Sequence, residues 1–200
     1  MNQLTSFLGS HARARLLAHF VAHPDSELHV RALERHTSLG KRSLQLELAR
    51  LAEMGLIRRT ESGSRVLYSR DGAHPSWEPL DELVERYAPD LVLADTLGDV
   101  PGIEAAFLFG SWARGDARDD SDLDLLVFGD EIHDEALGAA LLDAALVLDR
   151  RIDVKRYDTQ AFQRDLVAGA SFLPRALEGP VQWLVGSVDR LPQRTAEEAA

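Results

Sequence analysis

Between Phe107 and Asp130 the chain reads FLFGSWARGDARDDSDLDLLVFGD, and this stretch constrains the fold most. Two apolar runs of strand length flank it. The first ends at Gly110-Ser111, ten residues of glycine, charge and serine follow, and Asp122-Leu123-Asp124 opens the second. Side chains at i and i+2 of a strand share a face, so both carboxylates stand together at the mouth of a buried strand. Their charges repel and each gives up hydration near a sheet, which a protein tolerates where a cation neutralises them. Mg2+ favours one or two carboxylates with phosphate oxygens and water, so Asp122 and Asp124 read as half of a Mg2+ site. Gly110 permits a positive φ and close approach of a ligand to the backbone, and Ser111 offers a hydroxyl and an N–H. Phosphate donors beside metal carboxylates suit phosphoryl or nucleotidyl transfer.

A third carboxylate lies in RRIDVKRYD, an alternating stretch that reads as a strand with Ile152 and Val154 toward the core and Asp153 and Lys155 opposite. The span from Asp124 to Asp153 holds the rest of one strand, an Ala- and Leu-rich helix and a return strand, which brings Asp153 to the same sheet edge. Further helices are expected in TQAFQRDLVAG and SFLPRALEG, and a last strand in VQWLVG. The tail from residue 188 to 200 is polar and reads as disordered.

The first part of the chain has another character. Residues 1–75 hold 11 Lys/Arg against 7 Asp/Glu, residues 76–200 hold 11 against 26, and the whole nets −11. A basic part joined to an acidic one predicts two domains with different partners, the basic one suited to a polyanion. Apolar spacing predicts a helix over 5–22, a short helix in ELHVRALERHTS, a turn at SLG and a helix in KRSLQLELARLAEMGL. A β-hairpin with its tip at Glu61–Ser64 follows, and the Pro- and Gly-containing segment 71–79 reads as the linker. A helix over 80–97, interrupted at Pro89, leads into the second domain. There is no cysteine and no run of 18 apolar residues, so disulfides, thiol nucleophiles and helical membrane spans are not expected; a cytoplasmic chain is.

Helix, helix, turn, helix and hairpin is the layout of a helix-turn-helix with a β wing. Residues 7–75, above all LARLAEMGLIRR with the following hairpin and Tyr68, resemble the winged helix-turn-helix of ArsR/MarR-like regulators. The resemblance implies double-stranded DNA as a partner. Lys41, Arg42, Ser43 and Gln45 would face the major groove, and Arg58, Arg59 and Arg65 the phosphates or minor groove. GSWARGDARDDSDLDLLV resembles the minimal nucleotidyltransferases of the DNA polymerase β-like superfamily over about residues 80–185. That resemblance implies an NTP, ATP in the first instance, with its triphosphate on Gly110, Ser111 and Arg114. Asp122, Asp124 and Asp153 would hold Mg2+, and a hydroxyl acceptor would displace pyrophosphate from the α-phosphate. Relatives of this kind act as antitoxins that transfer AMP to a HEPN-domain toxin.

The expected fold is therefore a two-domain α+β or α/β chain. A winged helix-turn-helix over 1–75 precedes a nucleotidyltransferase over 76–187, with a mixed sheet flanked by helices. Homodimerisation is a further expectation, since winged helices often pair. A regulator whose second domain senses nucleotide without turnover is the alternative, and aminoglycoside adenylylation ranks behind both. His19 and His23 have the i, i+4 spacing of a metal chelate, but no third ligand is evident and the pair reads as an ordinary helix end beside Pro24. Trp77 and Trp183 read as packing residues.

Overall fold

A computed structural model describes residues 3–63, 65–118, 121–167 and 172–192. The fold is mixed α+β, and the chain divides into two compact units, residues 1–95 and 96–200. The boundary expected at 75/76 is thus displaced. The displacement also removes the basic half, because residues 1–95 hold 12 Lys/Arg against 13 Asp/Glu.

The first unit begins with α1 (Gln3–Leu8) and α2 (His11–Ala22). The single helix expected over 5–22 is broken at Gly9-Ser10, where the Ser10 side chain accepts the Arg13 N–H and caps α2. Next come β1 (Glu27–His29), α3 (Val30–Thr37), α4 (Lys41–Glu53) and the hairpin β2 (Ile57–Ser62) and β3 (Arg65–Arg70). These strands form a three-stranded antiparallel sheet in the order β1-β3-β2. β1 was not expected, since three residues are too few to show an alternating pattern.

Leu44, Leu48 and Leu51 recur at i, i+4, i+7 and bury one side of α4, while α2 buries Leu16, Leu17 and Phe20. Glu47 clamps the two helices together. It is 4% exposed and accepts hydrogen bonds from Arg13 Nε at 3.1 Å and Arg50 at 2.7 Å. α5 (Trp77–Tyr87) explains the displaced boundary. Trp77 is buried, donates its indole N–H to the Leu56 carbonyl at 3.0 Å and lies under the Arg70 guanidinium, which also grips both carboxylate oxygens of Asp81. The segment expected to be a linker therefore runs into an integral helix. Pro89 separates α5 from α6 (Pro89–Leu97), as its ring predicts.

The second unit contains β4 (Ala105–Phe109), α7 (Gly110–Arg114), β5 (Leu123–Phe128), α8 (Asp134–Leu148), β6 (Ile152–Tyr157), α9 (Thr159–Val167), α10 (Phe172–Glu178) and β7 (Gln182–Val185). Its sheet is mixed, in the order β6-β5-β4-β7, with β5 and β6 parallel and the other pairs antiparallel. β4 is buried along its whole length, which explains its unbroken apolar sequence. One core combines Phe107, Phe109, Leu126 and Phe128 from the central strands with Phe162 and Leu173 from the helices. Phe107 meets Trp183 edge-to-face at 4.9 Å, so Trp183 is a packing residue, as expected. The tail expected to be disordered from residue 188 is ordered at its start. Residues Val188–Arg190 form a 3-10 turn and Leu191, 5% exposed, joins the core; 193–200 lie outside the described residues.

Candidate active site

β4 ends where Gly110 begins α7, a single helical turn that Gly115 terminates. Antiparallel pairing sets Phe109 opposite Asp124, and parallel pairing sets Asp124 opposite Asp153. Directly paired residues on neighbouring strands project to the same face, so the Asp124 and Asp153 carboxylates lie on one side of the sheet beside the Gly110 turn. Gly110 has φ +69°, and a Cβ there would come within 2.0 Å of Asp124 Oδ2. Glycine at this position lets the backbone and the carboxylate touch.

Asp122 lies just before β5, with its side chain 47% exposed and Oδ2 at 4.0 Å from Arg151. Lys155 sits 3.7 Å from Asp153. The Asp124 carboxyl is pushed above the usual range, first by burial and then by the negative charges of Asp153 and Asp122, with Arg114 and Lys155 opposing. A carboxylate whose proton affinity is raised by two neighbouring carboxylates belongs to a donor set that a divalent cation relieves. The residues fit such an ion in chemistry. Their present rotamers leave the set open, for among the described residues only His19, His23 and Asp95 bring ligand atoms within 4.8 Å of one another.

Arg114 is about half exposed and bonded to Asp116 at 3.2 Å. With Gly110 and Phe172 it lines a cleft of about 210 Å3. Arg150 escaped the sequence reading. Its guanidinium donates to the carbonyls of Arg118 and Ser121 and lies over the Trp112 ring at 5.8 Å. It therefore braces the loop joining the Gly-Ser turn to Asp122. No spacing in the sequence marks that role; an arginine just before a strand is too common to stand out.

In the first unit, Lys41, Arg42, Ser43 and Gln45 are all exposed in the first turns of α4. Arg58 and Arg59 are exposed but ion-paired, with Asp71 and Glu61 respectively, both at 2.9 Å. Arg65 is exposed at the start of β3.

No curated protein sequence matches the chain. A solved structure of an MntA–HpeT toxin–antitoxin carrying two Asp-to-Glu changes is 20% identical, covers 50% of this chain and 75% of its own, and has a TM-score of 0.37. A toxin–antitoxin structure with AMP-PNP is 26% identical, covers 47% of this chain and 70% of its own, and has a TM-score of 0.34. The family model described as Polymerase beta, Nucleotidyltransferase matches residues 93–171, a span that contains the Gly110 turn and all three aspartates. That part of the chain is a polymerase β-like nucleotidyltransferase domain.

Proposed function

We propose that the second unit transfers a nucleotidyl group, AMP from ATP in the first instance, to a hydroxyl acceptor on a protein or another molecule. The first unit, in the same reading, is a winged helix that binds double-stranded DNA. The transferase reading rests on one observation: the Asp124–Asp153 register beside the Gly110 turn, inside the span matched by the family. Gly110, Ser111 and Arg114 bind the triphosphate. Asp122, Asp124 and Asp153 would hold Mg2+, which supplies charge neutralisation at the reacting phosphate. Asp153 takes the proton of the acceptor hydroxyl, whose oxygen bonds the α-phosphorus as pyrophosphate leaves. Arg150 keeps the intervening loop in place.

The acceptor implied by the sequence resemblance is a HEPN-domain toxin, with the winged helix repressing the pair's own operon. Incubation with labelled NTPs, Mg2+ and candidate acceptors tests the chemistry. Labelled acceptor and pyrophosphate are expected from the native chain and not from Asp122→Ala/Asp124→Ala or Asp153→Ala. Transfer that persists unchanged in these variants rejects the site.

A second reading, nucleotide sensing without turnover, is favoured by the half-exposed Asp122 lying toward Arg151. It predicts NTP binding with no pyrophosphate release and an NTP-dependent affinity for DNA.

A further inference from the structure

The strongest cluster outside the transferase site lies in the first unit. His19 and His23 stand one turn apart on α2, so their rings share a helix face. α6 brings Asp95 to them from 76 positions beyond His19. Its Oδ2 lies 2.7 Å from His19 Nδ1 and 3.0 Å from His23 Nε2, and one ligand atom from each residue falls within 4.8 Å of the others. His19 and Asp95 are 1% and 4% exposed, while His23 is 33% exposed with its Nε2 buried beside Asp95.

We propose that His19, His23 and Asp95 bind a divalent transition-metal ion of the Zn2+ class. Neighbouring ligand atoms of a tetrahedral Zn2+ site are about 3.3 Å apart, from bonds of about 2.0 Å. Two of the present separations are already near that value, so modest side-chain shifts close the set. Two imidazoles and one carboxylate select a borderline metal; Mg2+ and Ca2+ prefer all-oxygen sets. Three protein ligands leave a fourth position for water.

Both imidazoles converge on one oxygen of Asp95. The His36 ring centroid lies 5.5 Å from that of His19, which adds another imidazole to the neighbourhood. Burial alone would raise the Asp95 carboxyl, but hydrogen bonds from His19 and His23, then their charge, pull it down to about 2. Binding replaces the N–H protons between the rings and Asp95 and releases them.

The ion would fasten α2 to α6 and stiffen the first unit. The site owes nothing to the transferase reading and stands or falls separately from it. The test uses tag-free, full-length protein stripped with chelator, titrated with Co2+ and Zn2+ in excess Mg2+. The expected result is one equivalent bound per chain, visible Co2+ bands of imidazole ligation and a higher Tm with Zn2+. Asp122→Asn/Asp124→Asn should keep all three, whereas His23→Gln should weaken binding at least tenfold. His23 is the partly exposed member, so this variant keeps its fold, and the Co2+ spectrum of the native chain needs no variant. Absence of the bands, bands unchanged in His23→Gln, or bands lost in Asp122→Asn/Asp124→Asn would each overturn the proposal.

Discussion

At Gly110 a single hydrogen atom decides whether the Asp124 carboxylate can lie against the turn. Gly110→Ala adds a left-handed strain of about 1 kcal/mol or more and a methyl group 2.0 Å from Asp124 Oδ2. Gly115→Ala adds the strain alone, because its φ is +81° and nothing lies within 4 Å of the added carbon. Denaturant melts should thus show both variants destabilised. A transfer assay should show only Gly110→Ala losing nearly all activity. The Tyr157 hydroxyl gives a residue-level pH dependence. It donates to Asp165 at 2.6 Å, and burial, then that bond and the Asp165 charge, push its pKa up to about 12. A group whose folded-state pKa is raised contributes stability that is complete below its unfolded value, about 10 for tyrosine, and lost as pH climbs through the folded one. Stability of the native chain should therefore fall between about pH 10 and 12. Tyr157→Phe should lose this part of the slope, as pH-dependent denaturation will show.

Elements were legible where a pattern repeated and invisible where it did not. α4, α8 and the strands of the second unit follow their apolar spacing closely, and the element order between Asp124 and Asp153 implied that Asp153 reaches the same sheet edge. β1 has too few residues to alternate, and the Gly9-Ser10 break depends on a cap that competes with an otherwise continuous helical pattern. α5 was hidden because Pro75 and Pro79 give its start the composition of a linker. Trp77 overrides that composition: 1% exposed, it fills space against Phe20 at a ring distance of 6.5 Å. Trp77→Ala should cost about 3–5 kcal/mol, read by chemical denaturation, with the loss confined to the first unit. The tail misled for the opposite reason. A single leucine in a polar stretch carries no periodic signal, yet Leu191 is buried in the core. Leu191→Ala should cost about 2–5 kcal/mol in the second unit's unfolding. Asp95 was out of reach altogether, because nothing local to α2 announces a ligand arriving from a distant helix.

On the scale of the whole molecule, the charge map changes with the boundary. Residues 1–95 are close to neutral, with 12 Lys/Arg and 13 Asp/Glu, and residues 96–200 hold 10 against 20. The net charge of the first unit gives no general attraction for DNA, so the duplex binding proposed for it would rest on local groups such as the start of α4 and the hairpin arginines. Lys41→Ala and Arg42→Ala should each weaken duplex binding and reduce the slope of log affinity against log salt by about 1, measurable by anisotropy across a salt series. The order of the second sheet has another consequence. Asp153 rides on β6, an edge strand paired on one side only among the described residues, whereas Asp124 is held from both flanks. Fraying of that margin would carry one acid away while the interior of the sheet stayed zipped. The chemistry could therefore be silenced at a small fraction of the free energy needed to unfold the domain.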